Sequence, residues 1–245
     1  MNEKEPILSI RSLCKRFGSK IILSDFQADL YRKENLVVMG KSGAGKSVLI
    51  KCIVGLIQPD SGSIRIHGED MTQMSLRELQ VARRRFGFLF QSGAIYDSLS
   101  VRENLEFPLR RVGLKLTAGE ILQKVEEALD DVGLLASIDL MPSELSGGMR
   151  KRVGLARTII LQPEIILYDE PTTGLDAVTG REIISLINRI KEKYHASSII
   201  ITHDNECIRT NSDRIVLLHQ GASYVQGDYP SLLAHTDPFV KQFFL

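Results

Sequence analysis

The stretch NLVVMGKSGAGKS, Asn35 to Ser47, constrains this chain more than any other. The apolar run NLVVM reads as a strand, Gly40 to Ser47 satisfies the pattern G-x-x-x-x-G-K-[ST], and an apolar helix is expected from Val48 to Leu56. Gly43 and Gly45 let successive backbone amides turn inward around phosphate oxygens. The helix beginning near Lys46 adds its positive dipole end, Lys46 supplies a point charge, and Ser47 offers a hydroxyl to Mg²⁺. Gly40, Lys41, Ser42, Gly43, Ala44, Gly45, Lys46, Ser47 and Val48 are therefore the candidate phosphate-binding residues. A simple glycine turn with a surface lysine would leave the flanking strand and helix unexplained.

The rest of the chain supplies a sheet for that loop to sit on. RFGFLF (85–90), EIILYDE (164–170) and SSIIITH (197–203) are continuous apolar runs, as expected of strands buried on both faces of a parallel sheet. Phe26-x-Ala28-x-Leu30 and Ile64-x-Ile66 alternate instead, which predicts antiparallel strands with one wet face. DRIVLLHQG followed by ASYVQG predicts a terminal hairpin turning near Gln220 and Gly221. Between Gln91 and Ile160 the strand signal nearly vanishes. Capping boxes at Ser75/Glu78, Ser100/Glu103 and Thr117/Glu120, with an apolar stripe from Ile121 through Val125, Ala128 and Leu129 to Val132, predict helices there. The expectation is one α/β domain over 1–245, its core at about 1–91 and 159–245, an antiparallel flank, and a helical subdomain inserted at about 92–158.

Composition disfavours several function classes. The 245 residues carry a net charge of only +1, without the basic field of a nucleic-acid binder. Three cysteines far apart, with no CxxC, suggest neither a zinc site nor a disulfide framework. The opening MNEKEPILSI lacks the apolar core of a signal peptide, and no apolar run approaches the roughly 18–20 residues of a membrane span. Work at a membrane would require another chain.

Chemistry beyond phosphate binding needs a carboxylate for the metal and a base for water. Asp169 and Glu170 end the run Ile165–Tyr168, and the carboxyl ends of parallel strands face the ligand crevice. Asp169 is the candidate Mg²⁺ holder and Glu170 the candidate general base. Gln91, after FGFLF, is placed to orient water or touch Mg²⁺, and His203, after SSIIIT, to bond a γ-phosphate. His67, His195, His219 and His235 have no comparable position and read as ordinary polar residues. Arg83 to Arg85 and Arg150 to Arg152 read as solvated helix faces.

The ordered series of phosphate loop, "FQ", "LSGGM" (Leu145–Met149), "LYDEP", "GLD" and "TH" resembles that of ATP-binding-cassette (ABC) ATPases, from about Ile7 to Gly227. The resemblance implies a P-loop NTPase fold with a RecA-like core, ATP hydrolysis with Mg²⁺, and a homodimer that sandwiches ATP head to tail. In that dimer Ser146, Gly147 and Gly148 of one copy close on the γ-phosphate held by the other. Glycine amides at the start of the helix running from Met149 suit an anion. Asp176 matches the loop that meets its counterpart across the dimer, and Phe17 the aromatic that stacks on adenine, a strand-end core aromatic being the alternative. This chain departs from the usual pattern at Lys41 for proline, Lys33 for a turn glycine and Met149 for glutamine.

Met149, together with FQSGAIYDSLSVRENLEFPLR (90–110) and DPFVKQFF (237–244), is similar to the ATPases of Mla type, which serve Mce-domain lipid transporters. That narrower resemblance implies a peripheral subunit on the cytoplasmic side of the inner membrane, bound to a permease through the cleft beside Gln91 and associated with an Mce-domain protein. No nucleic acid is implied. A regulatory cassette ATPase of cell-division type, signalling to envelope enzymes without transport, is the alternative.

Overall fold

The structure, a computed structural model, describes residues 5–113 and 115–244. The first four residues of the opening segment MNEKEPILSI lie outside that range. The chain starts with a long hairpin, β1 (Leu8–Phe17) and β2 (Lys20–Leu30), then enters the core along β3 (Asn35–Met39) and α1 (Lys46–Ile53). It continues through β4 (Ser61–Ile66), β5 (Glu69–Asp70), α2 (Leu76–Ala82) and β6 (Phe86–Leu89). Three helices follow, α3 (Val101–Arg111), α4 (Ala118–Asp131) and α5 (Gly147–Ile159). The remainder is β7 (Ile165–Asp169), α6 (Ala177–Tyr194), β8 (Ser197–Ile201), α7 (Asn205–Asn211), β9 (Arg214–His219), β10 (Ala222–Gly227), α8 (Tyr229–Leu233) and α9 (Pro238–Lys241).

The strands form two sheets. β2-β1-β4-β5 is antiparallel, and β10-β9-β3-β8-β7-β6 is parallel except for the edge strand β10. Period-two alternation separates the faces of the larger sheet. Val37, Met39, Ile166, Tyr168 and Ile200 join a core with α3 to α6, whereas Leu36, Val38, Ile165, Leu167 and Ile199 join α1 and the antiparallel sheet. Both faces are covered, which is why these strands are apolar throughout.

The three expected capping boxes all form, at the starts of α2, α3 and α4. Each is worth about 1 kcal/mol of helix stability. The stripe Ile121, Val125, Ala128, Leu129 and Val132 is buried as predicted. α5 ends at Ile159 and shares its core with sheet residues such as Leu89 and Tyr168.

The terminal hairpin forms, but its first arm does more than expected. β9 pairs in parallel with β3 and lies inside the sheet, while β10 closes the edge antiparallel. Lys33, where a turn glycine is common, adopts φ 60°, and its amide donates to Ser197 Oγ at 2.8 Å. The backbone there still demands the left-handed region; a lysine meets the demand at a small conformational cost.

Candidate functional site

The four strands of the larger sheet that lead into candidate residues, β3, β6, β7 and β8, run in parallel, so their carboxyl ends open on the same edge. A cleft of about 780 Å³ lies there. Gly40 to Gly43, Gly45 to Val48, Gln91, Glu170 and His203 all line it. Ala44 lies outside the lining, packed with the core beneath α1.

Local chemistry shapes the loop. Gly43 and Gly45 take φ values of 78° and 105°, and a Cβ on Gly45 would lie 2.9 Å from both Ile22 Cγ2 and the Ile22 carbonyl oxygen. Lys46 curls back over the loop, its Nζ donating to the carbonyls of Gly40 at 2.8 Å and Lys41 at 3.3 Å. Burial pulls its pKa down, while the charges of Glu170 and Asp169 push it back up. Loop carbonyls and distant carboxylates thus hold a cation poised over an arc of amides.

Ser47 Oγ lies 3.5 Å from Asp169 Oδ1. The Asp169 carboxyl is pushed up first by burial and then by the neighbouring Glu170 charge, against the pull of Ser47, Lys51 and Lys46. Hard oxygens beside a partly desolvated carboxylate are the donor set that suits Mg²⁺ shared with substrate phosphates.

Glu170 is fixed more tightly than a surface carboxylate. It is a non-glycine residue at φ 51°, a conformation costing about 1–3 kcal/mol. Its amide donates to the Ile201 carbonyl at 2.8 Å. Its Oε2 meets His203 Nδ1 at 2.8 Å and accepts from Thr173 Oγ1 at 3.3 Å. The loop after Gln91 is held from the helical side, where Asn104, fully buried on α3, accepts from the Tyr96 amide and donates to the carbonyls of Tyr96, Leu99 and Ser100.

Ser146, Gly147, Gly148 and Asp176 do not line this cleft. Ser146 is the N-cap of α5, accepting from the Met149 amide at 3.2 Å, so the helix begins two residues earlier than expected. The first amides of a helix have no partner within it, and those of Gly147 and Gly148 follow that rule. Asp176 caps α6 in the same way, accepting from the amides of Val178 and Thr179 at 3.0 Å each. The two helix starts touch: a Cβ on Gly148 would sit 2.5 Å from Thr179 Cγ2. Phe17 is 51% exposed at the tip of the β1-β2 hairpin, so it is not a core aromatic, and it too lies outside the cleft lining.

The basic runs need correction. Arg150 is exposed, but Lys151 is only 5% exposed and Arg152 bonds Glu182 and the Val132 carbonyl. Arg83 donates to the carbonyls of Val54 and Gly55 just beyond α1. Residues not anticipated in the cleft are Ile22, Met39, Thr173, Asn205, Gln242 and Phe243. Thr173 and Asn205 were findable, three residues after Glu170 and two after His203, and Met39 directly precedes the phosphate loop; the others arrive by tertiary folding.

A second groove, of about 410 Å³, opens beside the loop after Gln91. Phe86, Phe88, Phe90, Tyr96 and Leu161 make it apolar, and the Arg157 guanidinium stacks over Tyr96 at 4.6 Å.

Comparison with known proteins gives a consistent result. Residues 23–173 match the family model described as "ABC transporter". The chain is 41% identical over 236 residues to the probable ribonucleotide transport ATP-binding protein mkl of Mycobacterium leprae, covering 96% of this chain and 68% of that protein. It is 37% identical over 237 residues to the intermembrane phospholipid transport system ATP-binding protein MlaF of Haemophilus influenzae, covering 97% and 89% respectively. Among solved structures, the ATP-binding cassette MJ0796, dimeric and bound to ADP and Pi in a post-hydrolysis state, superposes with a TM-score of 0.82 at 29% identity, covering 90% of this chain and 98% of that one.

Proposed function

We propose, from the premise that this chain belongs to the ABC transporter family, that it drives a membrane permease moving phospholipid or a related lipid across or between envelope membranes. The chain is the ATP-binding, ATP-hydrolysing subunit of such a transporter. One observation carries the residue assignments: Lys46, Ser47, Gln91, Glu170 and His203 surround a single cleft, while the amides of Gly147 and Gly148 open elsewhere on the chain.

Within the cleft the loop amides and Lys46 bind the β- and γ-phosphates. Ser47, Asp169 and Gln91 would hold Mg²⁺, which supplies neutralisation of the phosphate charge that develops during transfer. Glu170 takes the proton of the attacking water. Its Oε2 is held by His203 and Thr173, leaving Oε1 for that role. His203 senses the γ-phosphate through the same contact. Phe17 is the platform for adenine, exposed on the hairpin whose Ile22 reaches the cleft.

Ser146, Gly147, Gly148 and Asp176 serve a second copy of the chain. Their helix starts are exposed and jointly packed, and an anion held by another copy would complete them. What supports this reading is their separation from the chain's own cleft together with the dimeric state of the similar cassette. Core and inserted helices, divided at about 92–158, would then move relative to each other as ATP closes the dimer.

The apolar groove beside Gln91 is proposed to grip a short cytoplasmic helix of the permease. Among the described residues no helix is long and apolar enough to cross a membrane, so contact with the bilayer's transport path runs through such a partner. Lipid as cargo rests on the MlaF likeness, which spans nearly the whole of both chains. The same likeness supports an Mce-domain partner and a peripheral place on the cytoplasmic face of the inner membrane.

The test is reconstitution of the chain with its co-purified permease in phospholipid vesicles carrying a fluorescent phospholipid. ATP-dependent transfer that disappears with Lys46→Ala supports lipid transport. ATP hydrolysis without lipid movement would favour the regulatory alternative.

A further inference from the structure

α5 begins at the exposed surface proposed to meet a second copy and, one turn later, buries a lysine. Lys151 shares its inward stripe with Leu155, Thr158 and Ile159, a buried series at i, i+4, i+7 and i+8. Its residue exposure is 5%, and the one hydrogen bond its Nζ makes among the described residues goes to the carbonyl oxygen of Glu170, at 3.3 Å. A buried ammonium is costly unless it is bonded. Here its partner is the backbone of the residue read above as the general base.

We propose that Lys151 is a positioning residue for Glu170, tying the start of α5 to the backbone on which the base is mounted. Glu170 sits at φ 51°, a strained conformation that persists only where its surroundings over-determine it. Its amide is fixed by Ile201, its Oε2 by His203 and Thr173, and its carbonyl by the Thr173 amide and by Lys151, at 3.3 Å each. All but the last of these contacts come from β8, the turn after it, or the turn that Glu170 itself opens. Lys151 alone comes from α5, four residues after Gly147. A shift of α5 when its start engages phosphate therefore reaches Glu170 directly.

Burial lowers the Lys151 pKa, opposed by the charges of Asp169 and Glu170, so the lysine is held against desolvation by the acidic pair it supports. A lysine kept only for packing would be replaceable by methionine, which has a similar length and no buried charge.

The proposal rests on Glu170 as base, and the experiment separates the two. Steady-state ATPase of the dimer-forming protein is measured for Lys151→Met, Lys151→Arg and Glu170→Gln, with nucleotide affinity and melting temperature alongside. Misplacement of a reacting group by about 1 Å costs on the order of 100-fold, so Lys151→Met is expected to lower kcat by roughly 10- to 100-fold. KM for ATP stays within about threefold and Tm within a few degrees. Lys151→Arg, which keeps a donor, recovers at least about a third of the parent kcat. If Lys151→Met does not fold, Lys151→Leu, which also lacks a donor, carries the same comparison. Parent-like kcat in the methionine variant, equal losses in methionine and arginine variants, or a loss confined to KM overturns the proposal. Normal turnover by Glu170→Gln overturns instead the assignment of the base.

Discussion

Gly43 and Gly45 both stand at positive φ in the phosphate loop, yet the structure predicts unequal costs for replacing them with alanine. At Gly43, φ is 78° and a Cβ would meet nothing within 4 Å. The cost is the left-handed conformation alone, about 1–2 kcal/mol. At Gly45, φ is 105°, beyond the narrow left-handed well, and the Cβ would lie 2.9 Å from the Ile22 carbonyl oxygen, a backbone atom that cannot rotate away. Backbone strain of about 2–3 kcal/mol and overpacking of about 1–3 kcal/mol add to roughly 3–6 kcal/mol. Urea unfolding of nucleotide-free protein, followed by circular dichroism, measures both. Gly45→Ala should be less stable than Gly43→Ala by at least about 2 kcal/mol. A difference below about 1 kcal/mol, or the opposite order, would refute the packing of this loop against the β1-β2 hairpin.

Two further perturbations follow from the site. The folded Asp169 carboxyl titrates above its ordinary value, so its ionised form is a net cost to the nucleotide-free fold, absent at low pH and present once pH rises through the folded pKa. Asp169→Asn should therefore raise Tm near neutral pH, with the gain shrinking toward acid, and should abolish Mg²⁺-dependent hydrolysis; a lower Tm at neutral pH would contradict this. Asn104→Leu removes four hydrogen bonds from a fully buried side chain and strands the Tyr96 amide, costing about 3 kcal/mol or more in denaturant unfolding; a cost under about 1 kcal/mol would show the loop after Gln91 does not depend on it.

Local signals in the sequence were the most readable. The capping boxes and the α4 stripe follow from spacings within one element, and the continuous runs of β3, β7 and β8 announce burial on both faces. β9 carries the same signal in RIVLLH, but the turn that follows it invites reading as a hairpin alone; its parallel pairing with β3 is nonlocal. The convergence of Gly40–Gly43, Gly45–Val48, Gln91, Glu170 and His203 was legible because each follows the end of a predicted strand. Lys151 was misread because its charge outweighed its position on a buried stripe, and Arg83 because its carbonyl partners lie 28 and 29 residues away. The contact of Gly148 with Thr179 joins segments that no periodicity connects.

Size-exclusion chromatography with light scattering, applied to Glu170→Gln with and without ATP and Mg²⁺, tests whether two half-sites on different copies make one catalytic site. The expected result is very slow hydrolysis with accumulation of an ATP-dependent dimer, and loss of that dimer, with nucleotide binding retained, when Ser146→Arg is added. A protein that stays monomeric at concentrations well above its ATP Kd, or a dimer indifferent to Ser146→Arg, would contradict it.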